Sequence, residues 1–177
     1  MLISNGEKQL KEFTLRSYKE SVTQITEKVW HVLGMGHSNA IFIEGNESVI
    51  LIDTLDTLER GQKLLALIES KTDKPVKTIL YTHRHPDHRG GAGAFSSFNP
   101  EIIAFTPTKP LLAKTEMIND ILNLRSVRQF GYTLNDDENI SQGIGIREGI
   151  AYGEQRAFAA PTTIYNKDEV IRNIDGI

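Results

Sequence analysis

The chain has 177 residues, 39% of them hydrophobic, with a net charge of −3 and a pI near 6.0. That length suits one domain, or part of one, and the acidic balance argues against a general nucleic-acid binder. Cysteine is absent, which excludes disulfides and thiolate metal sites. No stretch reaches the ~18 apolar residues of a membrane span, and the N-terminal region lacks the apolar core of a signal peptide. The expected compartment is the cytoplasm.

Residues 1–21 are charged and weakly patterned, with Leu10, Phe13 and Leu15 as the sizeable apolar anchors. They read as an N-terminal arm ahead of a domain over residues 22–177. Residues 24–33 alternate as one strand, with Ile25, Val29 and His31 on a shared face, so His31 is expected as a partly exposed strand histidine. Residues 40–44 begin a second strand, and Gly45-Asn46 reads as a hairpin link to residues 49–52. That last run is apolar on both faces and belongs in the middle of a buried sheet. Asp56 with Glu59 three residues later resembles a capping box, with Asp in place of Ser or Thr. Leu58, Leu65 and Ile68 then mark one face of a helix ending near Lys71. Residues 76–81, behind the breaker Pro75, form the next strand. The order is β-β-β-α-β, which puts the next segment at a strand's C-terminal end, where layered α/β folds place their sites.

That segment is YTHRHPDHRGG, residues 81–91, and it carries the chemistry. Three of the chain's five histidines, His83, His85 and His88, fall within it, with Asp87 among them. Crowded imidazoles and a carboxylate are the donor types of a zinc or iron site. His83 and His85 alternate, so near a strand end they project to one side and can share a metal. Pro86 fixes its own φ and keeps His85 out of helix, a turn that can aim Asp87 and His88 at a neighbouring metal position. Gly90, Gly91 and Gly93 would let the backbone pass close to whatever the imidazoles hold. The competing reading is a polar loop whose histidines only bond backbone.

Downstream, residues 91–98 suit a short helix and 102–105 a further strand. A longer helix can run from residue 108 to 130, with Ile118, Ile121 and Leu122 on one face and Gly131 as its stop. Arg125 and Arg128 on it are either a solvated face or an anion-binding pair. The glycine-rich residues 143–153 have GxGxxxG spacing rather than a phosphate-binding GxGxxG, and read as a flexible loop near the metals. Residues 161–165 read as one more strand, and Asp175-Gly176 as a turn.

His83-x-His85-x-Asp87-His88 followed by Gly90-Gly91 resembles the signature of the metallo-β-lactamase superfamily. Asn39 to Gly45, Val49 to Asp53, Arg125-x-x-x-Gln129-Phe130-Gly131, the 143–153 stretch, Ala160-Pro161-Thr162 and Asp175-Gly176 resemble its metal-dependent alkylsulfatases, over roughly residues 25–177. The resemblance implies an α/β fold, a metallo-β-lactamase-like αββα sandwich of which this chain is the N-terminal half. It implies two zinc ions and hydrolysis of alkyl sulfate esters, with a small-molecule alkyl sulfate as partner, no nucleic acid and no membrane insertion. Residue by residue, His83 and His85 match ligands of the first metal, and Asp87 and His88 ligands of the second. Asp87 would also orient the nucleophile as the catalytic residue. Asp53 matches the acidic residue after the buried strand, which is either structural or a support for a metal ligand. Arg84 and Arg89 stand where the family has small, apolar or aromatic residues; they are either simple solvated charges or, with Arg125, groups that attract the sulfate. The family's remaining ligands, two glutamates and a histidine, have no match in this chain, where no histidine follows His88. The chain alone is therefore expected to bind metal poorly and not to turn over, needing a missing C-terminal half or self-association. Two alternatives stand beside the sulfatase reading: a truncated, inactive metal-binding fragment or subunit, and another hydrolase on this scaffold acting on thioesters, lactams or RNA.

Overall fold

The computed structural model describes residues 5–106, 124, 128, 141 and 143–177. Among them, seven strands form one mixed sheet in sequence order: β1 (Ser21–Thr26), β2 (Val29–Leu33), β3 (Ala40–Glu44), β4 (Val49–Ile52), β5 (Val76–Leu80), β6 (Glu101–Phe105) and β7 (Thr163–Tyr165). Neighbours from β1 to β4 are antiparallel, and from β4 to β7 parallel. A parallel neighbour needs a crossover, and α2 (Leu58–Glu69) supplies it between β4 and β5.

The core lies on one face of this sheet. Cross-strand register aligns Trp30 with Phe42, Phe42 with Leu51, Leu51 with Ile79 and Ile79 with Ile102. These pack against Leu64 and Ile68 of α2 and Phe95 of the 3₁₀-helix Ala92–Phe98. Trp30 and Phe42 stack with ring centroids 4.9 Å apart. The other face aligns Ile41, Ile43, Ile50, Ile52, Leu80 and Ile103. Among the described residues, α2 and the Ala92–Phe98 helix cover one face of a sheet that is apolar on both, the α/β half-sandwich that the sequence predicts. The buried run 49–52 is the central strand, as its two-faced apolarity required.

Several local expectations change. The strand read over 24–33 is two strands, broken at Glu27-Lys28, where Gln24 Nε2 donates to the Glu27 carbonyl and Lys28 N to Thr26 Oγ1. His31 sits on β2 between Thr23 and Ile41, partly exposed as anticipated. The N-terminal arm contains α1 (Asn5–Ser17), whose Phe13 meets Tyr18 edge-on. The cap of α2 is Thr57, which accepts from Arg60 N, and Asp56 is drawn into a buried network instead. The buried stripe of α2 is Gly61, Leu64 and Ile68, so Leu65 is only partly covered. The Asp175-Gly176 turn forms, and its carboxylate accepts from Glu47 N, Ser48 N and Ser48 Oγ, closing the β3–β4 loop. Of the helix expected over 108–130, only Leu124 and Arg128 are described, both helical and exposed; Arg125 lies outside the described residues. No helix among the described residues is long and apolar enough to cross a membrane.

Candidate metal centre

The site is built where β4 and β5 run parallel and end together. Past β4, Asp53 adopts a left-handed backbone with φ 58°, which turns its carboxylate toward the end of β5. One carboxylate oxygen accepts from Thr82 N at 2.9 Å; the other accepts from Thr82 Oγ1 at 2.6 Å and pairs with His88 Nδ1 at 2.6 Å. His88 reaches back to it because Pro86 does not merely turn the chain. It opens a four-residue helix, α3 (Pro86–Arg89), with His85 as its N-cap. Thr54 N and Oγ1 both donate to the His88 carbonyl, fixing the end of that helix.

The histidines come together. The His83 ring lies 4.6 Å from that of His85 and 4.0 Å from that of His88, centroid to centroid, and His88 Nε2 is 3.2 Å from Asp87 Oδ2. Charges follow from these contacts. Burial and the neighbouring His88 and His85 hold the His83 pKa below its usual value, favouring the neutral, ligating form. Burial also acts to depress His88, but its bonds to Asp53 and Asp87 outweigh that and raise it to about 9. Asp87 would rise through burial, yet the His88 contacts lower it, so it stays ionised at neutral pH.

Two of the glycines have a packing role of their own. A Cβ on Gly90 would stand 1.9 Å from the Asp56 carbonyl oxygen, and one on Gly91 would stand 2.1 Å from that of Thr54. They let the end of α3 press onto the β4–α2 loop, not onto the imidazoles. Below that loop is a network that the sequence reading missed. Asp56, fully buried, accepts from His37 N, Arg60 Nη1 and Gly149 N; Arg60 also donates to the Arg147 carbonyl and pairs with Glu154. His37 Nδ1 donates to the Ile146 carbonyl at 2.7 Å, and Ser38 Oγ to the Asp87 carbonyl at 2.6 Å. Residues 143–153 therefore form an anchored loop with a 3₁₀ turn, Gly149–Tyr152, rather than a free one. The i, i+4 spacing of Asp56 and Arg60 was the available signal.

Imidazole nitrogens and a carboxylate are the right donors for zinc, and Asp53 holding His88 Nδ1 is the support that metal-ligating histidines usually have. Among the described residues, however, no group of three His, Asp or Glu is placed to hold an ion. His88 already has both nitrogens engaged, by Asp53 and Asp87. The donors fit in kind, but not in number among the described residues. Of the expected anion-binding arginines, Arg84 is exposed between His83 and His85, while Arg89 turns to the rings of Tyr81 and Phe158.

The sequence model of the metallo-β-lactamase superfamily matches residues 33–145, which include this whole site. The chain belongs to the metallo-β-lactamase superfamily. Among curated superfamily relatives, it is 35% identical to an alkyl/aryl-sulfatase of Saccharomyces cerevisiae over 87% of this chain and 25% of that protein. It is 31% identical to a linear primary-alkylsulfatase of a Pseudomonas strain, over 76% of this chain and 26% of that protein. A double mutant of the sec-alkyl sulfatase PisA1 superposes on 99% of the chain and 28% of its own, with a TM-score of 0.73 and 18% identity. The alkylsulfatase-type fold read from the sequence is borne out. The chain spans about a quarter of the length of the curated relatives it matches.

Proposed function

We propose that this chain carries the histidine-rich part of a zinc-dependent site that hydrolyses small alkyl sulfate esters, without nucleic acid or membrane partners. The observation that carries the reading is the cluster at the β4–β5 edge, with His88 clamped by Asp53. The likeness to sulfatases in sequence supports the substrate class. In this reading His83 and His85 hold one metal, and Asp87 and His88 a second, their further ligands coming from outside the described residues. The bound metal supplies a water acidic enough to be hydroxide near neutral pH. The chain's own groups do the positioning. Asp53 fixes the His88 ring so that Nε2 faces the cluster, and the ionised Asp87 would orient the attacking water. Arg84 adds an exposed positive charge beside the imidazoles, attracting the sulfate. The compartment proposed with this activity is the cytoplasm.

A second reading has its own support. Among the described residues no group of three donors is placed to hold an ion, where a catalytic zinc usually takes three protein ligands. The chain would then bind metal without turning over unless completed by further ligands. Sulfate release from decyl sulfate by the purified chain, with and without zinc and chelator, separates the two. Chelator-sensitive release that H83A abolishes supports the hydrolase. Zinc binding with no release supports the metal-binding reading, and neither binding nor release rejects both.

A further inference from the structure

α3 is too short to satisfy its own carbonyls. Gly90 N donates to the Pro86 carbonyl at 2.8 Å, one turn back. The next donor, Gly91 N, would reach the Asp87 carbonyl in a continuing helix, but it goes to the Leu55 carbonyl instead. The Asp87 carbonyl belongs to the planar peptide that joins Asp87 to His88. Rotating that peptide changes ψ of Asp87 and φ of His88 together, and with them the aim of both side chains. Ser38 supplies the missing donor. Its hydroxyl, on a residue only 7% exposed, reaches the Asp87 carbonyl at 2.6 Å. The following peptide is held from another loop, by Thr54 N and Oγ1 on the His88 carbonyl.

Ser38 is itself held in place, in the turn of residues 34–39 between β2 and β3. The backbone N–H of His37 donates to Asp56 at 3.1 Å, and its Nδ1 bonds the Ile146 carbonyl at 2.7 Å. A Cβ on Gly36 would stand 2.8 Å from Asp56 Oδ1, so the turn lies directly on the buried network. A hydroxyl on so fixed a turn is a directional donor, and side groups of this kind decide how closely a site keeps its geometry. We propose that Ser38 is a positioning residue for the Asp87–His88 pair: its hydroxyl replaces the missing helical donor, locks the peptide between the two ligands and keeps both aimed at one metal. That Asp87 and His88 hold a metal rests on the function proposed above; the Ser38 bond does not.

Zinc titration of the S38A chain, followed by histidine-ring NMR, tests this. The His88 ring should need roughly tenfold more zinc than in wild type, the low end of what a contact supporting a ligand contributes, while His83 and His85 keep the wild-type dependence. A general loss of stability would move all three rings alike. In metal-free S38A the His88 Nε2 resonance, which reports the 3.2 Å contact with Asp87 Oδ2, should move toward that of an unpaired imidazole. S38T keeps the hydroxyl and should behave as wild type. If S38A fails to fold by circular dichroism, S38T against S38V, nearly equal in volume, makes the same comparison. A His88 ring that responds to zinc in S38A as in wild type overturns the proposal, as do equal responses in S38T and S38V or a uniform change at all three rings. Wild-type rings unmoved by zinc would remove the metal reading instead. The metal-free spectra then decide for Ser38: a moved His88 Nε2 in S38A leaves it as the residue that aims Asp87, and an unmoved one rejects that too.

Discussion

At the scale of single residues, Asp53 sets the geometry of the site. A non-glycine residue in the left-handed region costs on the order of 1 kcal/mol or more, and Leu55 two residues later repeats it with φ 64°. The strain persists because the carboxylate it aims satisfies Thr82 N, Thr82 Oγ1 and His88 Nδ1 together. D53N keeps the shape and removes the charge. In metal-free D53N, the His88 pKa should fall from about 9 toward its ordinary 6.5, because the Asp53 bond and charge are among the causes of the rise. Imidazole titration by NMR reads this directly; a His88 curve unmoved in D53N would mean that Asp87 alone holds the proton. Zinc affinity should fall by about ten- to hundredfold in the same variant, the usual cost of losing a ligand's orienting partner.

Between elements, the pair of Asp56 and Arg60 joins the head of α2 to the 34–39 turn and the 147–154 loop. Removing one partner strands a buried charge. D56A should cost about 3–5 kcal/mol in urea unfolding, and the double variant D56A/R60M clearly less, since it strands nothing. Equal losses in both would show that the pair acts only through packing. The strands, α2 and the histidine turn were legible in the sequence because periodicity and breakers act locally. β4 read as central from its apolarity alone, and the convergence of His83, His85 and His88 from their spacing. Beyond its i, i+4 pair with Arg60 the Asp56 network was not legible, because His37 and Gly149 lie 19 and 93 residues away in sequence, and Asp56 looked like a local cap. Nor was the purpose of Gly90 and Gly91, whose crowding neighbours are backbone oxygens of a loop folded onto them. The break at Glu27-Lys28 was hidden because the polar turn continues the alternation of the strands on either side.

For the molecule as a whole, the C-terminal segment is fastened to the sheet at two points. Asp175 closes the β3–β4 loop, and Arg172 meets Glu101 of β6 at 2.9 Å, with Thr163 Oγ1 donating to the same carboxylate. The Arg172 bond, with that of Thr163, holds the Glu101 pKa below its ordinary 4.5. A depressed carboxyl contributes stability that is present above the unfolded value and lost as pH falls through the folded one. The melting temperature of R172A should therefore lie below wild type near neutrality, and the gap should close as pH drops below 4.5. A gap that stays constant into acid would assign the effect of Arg172 to packing.

The central proposal is that the three imidazoles and the carboxylate gathered at the β4–β5 edge bind metal. The chain carries its own controls, since His31 lies on β2 and His37 bonds the Ile146 carbonyl. Zinc titration followed by histidine-ring NMR is the direct measurement. The rings of His83, His85 and His88 should shift together as zinc is added, and those of His31 and His37 should follow only weakly or not at all. Zinc shifts distributed evenly over all five histidines, or absent from His83, His85 and His88, would contradict the cluster.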